Sequence, residues 1–212
     1  MYFHIITLFP KAFDSYLGES ILKRAIEDNK IKISFYNPRD FVVNKWKRVD
    51  RPPYGGGPGL VIEALPVIRA IQKAIGNKKK VKIIFLSPRG KQFTNQYAGK
   101  VAKKFKDIII VCGRYEGIDA RVKRVFKTEE VSVGSFVLTG GELPAMLMID
   151  VISRQLKGVL GNFASLEEKR VSTDKIYTRP EIFKYRGKSY RVPKILLSGH
   201  RAKIEEWKQK RG

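Results

Sequence analysis

The sequence predicts an open α/β fold, and three features point to it together. Short apolar runs recur that read as buried strands. Each is followed at once by a glycine-bearing bend, and each bend gives way to a helical pattern. IIFLSPRG (83–90), IIIVCGRYEG (108–117) and VSVGSFVLTGGELP (131–144) share this order. In open α/β sheets ligands gather at the carboxyl ends of the strands, where loops expose backbone donors and acceptors. Three such bends in one half of the chain predict a single small-molecule site.

Taken in order, YFHIITL (2–8) reads as a first buried strand closed by Pro10. A helical pattern follows to about residue 28, with Leu17, Ile21, Leu22, Ala25 and Ile26 on one face. KISFY (32–36) predicts a second strand. Residues 38–63 form a long irregular segment containing RVDRPPYGGGPG (48–59), too rich in Gly and Pro for regular structure. A loop of that length inside a compact domain is usually functional or disordered. A helix over 64–75, with Leu65, Ile68, Ile71 and Ile75 on one face, leads into the first strand–bend unit. Thr94 is the expected N-cap of a helix running to Phe105, and Ile118 to Phe126 reads as a short helix. ELPAMLMIDVISRQL (142–156) is a strong helical pattern after the third bend. Apolar periodicity is lost from Lys157 to Lys175, which reads as a linker.

The formal net charge is +23 on 212 residues. Small metabolites do not call for that excess, whereas a polyanion does, because each neutralised phosphate releases counterions. Residues 169–212 are the more densely basic part, with 14 basic and 4 acidic residues. Tyr177, Phe183, Tyr185, Tyr190 and Trp207 are interleaved with that charge, a composition suited to RNA stacking and phosphate contact. Several of them also suit a small core, Trp207 with Ile204 above all. No apolar run approaches a membrane span, and MYFHIITLFP lacks a charged n-region or cleavage site, so the cytoplasm is the expected location. One cysteine, Cys112, excludes an internal disulfide and any multi-cysteine metal site, and it sits within a strand-like run where a buried, inert thiol is expected. With His4 and His200 as the sole histidines, a histidine-rich metal centre is excluded as well.

Two nucleotide-binding patterns are absent. There is no G-x-x-x-x-G-K-[ST], and no G-x-G-x-x-G joins a strand to a helix; GGGPG (55–59) lies in the long loop, and its Pro58 removes a backbone donor. The bends instead offer many backbone amides and carbonyls with little positive charge among them. That suits a ligand with an adenine edge and no phosphate.

LFPKAF (8–13), NPRDF (37–41), YGGGPG (54–59), LSPRG (86–90), GRYEGID (113–119), GSFVLTGGELPAM (134–146), YTRPE (177–181) and VPKILLSGHRAKIEEW (192–207) occur in this order over nearly the whole chain. Together they closely resemble the bacterial tRNA (guanine-N1-)-methyltransferases of the knotted SPOUT superfamily. The resemblance implies a parallel sheet with a deep C-terminal trefoil knot, an exception to unknotted topology. It implies a methyltransferase domain over 1–160 with its donor site in 83–144, a flexible linker over 161–176, and a small basic helical tRNA-binding domain over 177–212. The implied donor is S-adenosylmethionine, with magnesium in the reaction, and the implied partner is tRNA rather than DNA or a membrane. The implied target is N1 of guanosine-37, just 3′ of the anticodon, and the implied assembly is a homodimer with a composite site.

By the same resemblance the donor is held by Leu86, Ser87, Pro88 and Gly90 in the first bend, and by Gly113, Tyr115, Glu116 and Gly117 in the second. The third bend contributes Val133, Gly134, Ser135, Phe136, Val137, Leu138, Gly140, Gly141 and Pro144. Asp50, Tyr54, Gly55, Gly56, Glu116, Asp119, Arg186, Lys188 and Arg191 are the expected tRNA contacts. The family's C-terminal part is usually longer, so the basic residues around 184–203 and the loop 48–59 are expected to carry more of the recognition.

Guanine N1 carries a proton at neutral pH and is a poor nucleophile until it loses it. Methyl transfer therefore needs a base near N1 and positive charge near O6. Arg154 is the candidate for O6, one helical turn after Asp150, which is placed to orient it. Read from spacing alone the two form an ordinary i,i+4 pair; the family places a catalytic arginine here. The family's base is an aspartate in the linker, where this chain departs from the pattern with SLEEKRVSTDKIYTRP (165–180). The position matching by count from Arg154 is Lys169, a cation. Glu168, one residue earlier, is the candidate base, with Glu167 and Asp174 as alternatives. Gly134-Ser135-Phe136 replaces the usual Gly-Asp-Tyr, and Arg89 stands where glutamine is common. A knotted methyltransferase acting on ribose 2′-OH, or a catalytically idle RNA-binding protein, are the rival functions.

Overall fold

The computed structural model describes residues 1–160 and 176–209. The chain divides into two compact units, Met1–Leu160 and Gly161–Gly212. The first is built on a five-stranded sheet: β1 (Tyr2–Ile6), β2 (Lys32–Tyr36), β5 (Val81–Gln92), β6 (Asp107–Val111) and β7 (Glu129–Ser132), in the spatial order β2-β1-β6-β5-β7. All four pairings are parallel. This is the α/β fold the strand–bend–helix order predicts.

The apolar run of β6 shows why the sheet needs cover on both faces. Ile108 and Ile110 point into one core, with Phe3, Ile5 and the inner face of α6 (Glu142–Arg154), including Met148, Ile149 and Ile152. Ile109 and Val111 point into the other, with Ile6, Ile83, Phe85 and the face of α3 (Ala64–Ile75) formed by Val67, Ala70, Ile71 and Ala74. Successive side chains on a strand alternate faces, so a run of four apolar residues fills two cores. α4 (Asn95–Lys104) packs beside α6, and its Thr94 cap accepts from the Tyr97 amide at 3.1 Å, as its sequence predicts.

Two helical expectations and one irregular segment are corrected. The pattern before residue 28 is not one helix but a 3-10 turn (Pro10–Phe13), α1 (Asp14–Leu17) and α2 (Ser20–Glu27). The break falls at Gly18, whose amide closes α1 on the Asp14 carbonyl, and at Ser20 with its positive φ. The helix expected from Ile118 shrinks to α5 (Val122–Val125). Its start is displaced because Ile118 bridges Ile62 and the Asp119 carboxylate caps the Arg121 amide, closing a turn instead. The long segment 38–63 also contains regular pieces: a 3-10 turn (Pro38–Phe41) and a small antiparallel pair, β3 (Asp50–Arg51) with β4 (Val61–Ile62).

The second unit is not purely helical. Its described part opens with a hairpin, β8 (Ile182–Tyr185) and β9 (Lys188–Arg191), followed by α7 (Lys194–Leu197) and α8 (Arg201–Gln209). Arg186 and Gly187 both take positive φ, the geometry that suits a two-residue hairpin turn. Ile204 and Trp207 are half-buried, with the Tyr177 and Trp207 rings 6.3 Å apart.

The feature of the sheet that creates a site is an interruption in β5. Leu86 and Lys91 both pair with Val131, so Ser87–Gly90 leaves the ladder and re-enters it against the same partner. Gly90 permits the re-entry, since a Cβ there would lie 2.4 Å from the Val131 amide nitrogen. The expected outcome for Gly90→Ala is a loss of about 1–3 kcal/mol in stability, as for other overpacked sites, measured as a lowered urea midpoint at unchanged slope.

Candidate functional site

Strands β6, β5 and β7 are neighbours and point the same way, so the bends that follow them meet at one end of the sheet. They enclose a cavity of about 310 Å³, within the size range of small-molecule sites. Of the expected donor-binding residues, Leu86, Ser87 and Pro88 line it from the first bend. Gly113, Tyr115, Glu116 and Gly117 line it from the second. Val133, Gly134, Phe136, Val137, Leu138, Gly140, Gly141 and Pro144 complete it from the third. Gly90 and Ser135 are not part of the lining. Gly90 packs on the β7 backbone, and Ser135 is an exposed residue of the third bend.

The walls are held in place by a buried carboxylate at the start of α6, Glu142, which its helical pattern alone does not distinguish. Glu142, 3 % exposed, accepts from the Thr7 hydroxyl at 2.8 Å and from Arg114 Nε at 3.0 Å. Arg114 also donates to the Thr139 carbonyl at 3.2 Å and lies over the Phe9 ring at 4.7 Å. One acid thus ties the end of β1, the second bend and the third bend together. It also sits in the first turn of α6, where the helix dipole favours negative charge. Gly141 makes the close approach possible: its amide donates to the Gly113 carbonyl at 2.9 Å, and a Cβ there would lie 2.6 Å from Cys112 Cα. The signal available in the sequence was the pairing of types, the one Arg of GRYEGID with the one Glu of GGELP.

Arg114, Val131, Ser132 and Thr139 line the cavity without having been expected there. Since the Arg114 side chain is engaged by Glu142, the lining offers backbone groups, apolar surface and the exposed Glu116 carboxylate. The Glu116 amide donates to the Leu60 carbonyl at 2.9 Å, and its side chain lies against Gly59, where a Cβ would come within 2.7 Å of Oε1. The Gly-Pro loop is therefore laid against the second bend. Within that loop Tyr54 is fully exposed and Gly55 and Gly56 take positive φ, while Asp50 is buried and accepts from Arg48 Nε at 3.4 Å. Asp50 anchors its loop.

Asp119 is clamped by Arg121, which donates to it through Nε at 2.9 Å and through its terminal nitrogen at 2.6 Å. Those hydrogen bonds hold the carboxyl below its usual range. Burial pushes the Cys112 thiol well up, in keeping with an inert core residue. Arg154 ends α6 and is half-buried. The Asp150 carboxylate, expected to orient it, accepts from the Tyr16 hydroxyl, and that bond raises the Tyr16 pKa. An Asp150–Arg154 ion pair is not among those of the described residues. Glu167, Glu168 and Asp174 lie outside the described residues. Arg186 and Lys188 are exposed at the turn end of the β8–β9 hairpin, and Arg191 is exposed at its far end. No group of three His, Cys, Asp or Glu side chains placed for a metal ion occurs among the described residues, nor is any of their helices long and apolar enough to cross a membrane.

Fold and site define an α/β protein with a weakly charged ligand cavity at the carboxyl end of a parallel sheet. The family model for tRNA (Guanine-1)-methyltransferase TrmD matches residues 1–212. A tRNA (guanine-N(1)-)-methyltransferase of Clostridioides difficile is 45 % identical over 215 residues, covering 99 % of this chain and 91 % of its own. The protein of that name from Buchnera aphidicola is 44 % identical, covering 98 % and 88 %. The crystal structure of tRNA (m1G37) methyltransferase from Aquifex aeolicus superposes with a TM-score of 0.80 at 36 % identity, over 99 % of this chain and 88 % of that one. The chain belongs to the tRNA (guanine-1)-methyltransferase family.

Because Glu142 is nearly dry, removing it strands the Arg114 charge and the Thr7 hydroxyl. Breaking such a pair costs about 3–5 kcal/mol when both partners are buried, and somewhat less here because Arg114 is partly open to water. Thermal unfolding should show Glu142→Ala lowered sharply, with Glu142→Gln intermediate.

Proposed function

We propose that the chain transfers a methyl group from S-adenosylmethionine to N1 of guanosine-37 in tRNA. The observation that carries this is the convergence of three bends on one cavity whose arginine is already engaged. A phosphate ligand would call for free cations there; an adenine edge and a methionine chain call for backbone groups and apolar walls, which are present. The Glu116 carboxylate suits a cationic sulfonium at the rim.

When bound, S-adenosylmethionine supplies a methyl carbon made electrophilic by its sulfonium, which leaves as a neutral thioether. The protein's part is to prepare the acceptor. Glu168 takes the proton from guanine N1, and Arg154 holds the negative charge that develops on O6. Glu116 and Asp119 contact the base from the second bend. The magnesium ion implied by the resemblance has no protein ligand set among the described residues, and no residue is assigned to it. Recognition of the tRNA body falls to Tyr54, Gly55 and Gly56 in the exposed loop and to Arg186, Lys188 and Arg191 on the hairpin.

The family resemblance also implies a deep trefoil knot, the flexible linker over 161–176, and a homodimer. The detour of Ser87–Gly90 out of β5 supports the knot as the arrangement that brings the bends together. Exposed Phe9, Tyr16, Leu143 and Leu147, the last two one turn apart on α6, support a second copy as the cover of that face.

Incubation of the protein with tRNA and methyl donor, followed by mass spectrometry of the nucleosides, tests the reaction. The expected product is 1-methylguanosine, lost with Arg154→Ala. In single turnover Glu168→Gln should be slower by at least 10²-fold, with Asp174→Asn near wild type. Methylated ribose, or no product, would contradict the proposal. A wild-type rate for Glu168→Gln with loss in Asp174→Asn would move the base to Asp174.

A further inference from the structure

Trp46 is 81 % exposed, on a turn whose backbone is closed by several hydrogen bonds. Asn44 closes that turn with both halves of its amide: Oδ1 accepts from the Arg48 amide at 2.8 Å, and Nδ2 donates to the Arg48 carbonyl at 2.8 Å. The Lys47 amide donates to the Asn44 carbonyl at 3.0 Å. From outside the turn, the Arg39 guanidinium donates to the Lys47 carbonyl at 3.3 Å. Arg48 Nε reaches the Asp50 carbonyl at 3.1 Å, anchoring the exit to the buried end of β3. The indole is thus presented at the tip of a stretch braced at both ends.

Its surroundings are cationic. Lys45, Lys47, Arg48 and Arg51 fall within residues 44–51, where the single acid, Asp50, is buried. The Lys45 ammonium lies 5.5 Å from the Trp46 ring centroid, within cation–π range. Val43 apart, the exposed neighbours in the turn are polar or charged. A surface for a protein partner would surround such an anchor with apolar residues. An aromatic plate flanked by lysines matches the other common use, stacking of an unpaired base whose phosphates meet the cations.

We propose that Trp46 is a stacking platform for an unpaired base of the RNA substrate, with Lys45 and Lys47 meeting the adjoining phosphates. This rests on the tRNA reading above. The path from platform to cavity is short and ordered. The turn leads into β3, β3 pairs with β4, and Ile62 of β4 accepts the Asp119 amide and donates to the Gly117 carbonyl in the second bend. A base held on Trp46 is therefore registered against the element that lines the donor cavity, and RNA docking and target placement become linked.

The test is equilibrium binding of the full chain to a transcribed tRNA bearing guanosine-37, measured across a salt series, with methylation scored separately. Trp46→Ala should weaken binding roughly five- to a hundredfold with an unchanged salt slope, because a stacking contact releases no counterions. Trp46→Phe should recover most of the loss. Lys45→Ala should instead reduce the salt slope by about one. Wild-type affinity in Trp46→Ala would overturn the proposal and leave the indole to a protein partner or to none. A loss in Trp46→Ala that Trp46→Phe does not relieve would also overturn it. If the wild-type protein made no methylated product, the catalytic reading would fail, and the binding comparison would still decide the role of Trp46.

Discussion

The site depends on one buried acid. Glu142 is almost wholly buried and is stabilised by the Thr7 hydroxyl, the Arg114 guanidinium and its own helix start. Each partner belongs to a different segment of chain, so the charge is satisfied only when the end of β1, the second bend and the third bend are in register. A buried ion pair is weak grounds for net stability, because desolvation offsets much of the attraction. Its value here is geometric. The same pair that shapes the cavity also neutralises Arg114, the one cation among the described residues of the lining, and leaves a site suited to an uncharged nucleoside and a small amino-acid chain.

That arrangement separates the protein's charges by task. A surplus of +23 is carried on a chain whose cavity, among its described lining residues, is nearly free of available positive charge. Exposed cations stand on elements able to meet a polyanion, among them the turn around Trp46, the loop behind it and the β8–β9 hairpin. The long Gly-Pro segment is the connection between these tasks. It is exposed and basic along one stretch, yet pinned to the second bend through Leu60 and Ile62.

Most of the fold was legible because burial on two faces leaves an unmistakable pattern. The runs at 83–86 and 108–111 are apolar at every position, and the helices over 64–75 and 142–154 carry clear faces. The cavity lining was legible through the ordered motifs. The departures have local causes. A helix was expected across Gly18 and from Ile118, where a left-handed Ser20 and the Asp119 side chain close turns instead. The β8–β9 hairpin was missed because two four-residue runs around Arg186-Gly187 are too short to stand out against the basic composition. Glu142 was missed because a lone acid at a helix start is ordinarily a solvated one; only the fold reveals that Thr7, 135 residues away, comes to meet it.

We propose that the cavity ordered by Glu142 receives a methionine-derived nucleoside. Calorimetric titration of the wild-type protein with S-adenosylhomocysteine, beside Glu142→Gln, tests it most directly. Saturable heat in the wild type, with weakened affinity in the variant, is the predicted result. No heat from well-folded wild-type protein, or equal affinity in both, would contradict it.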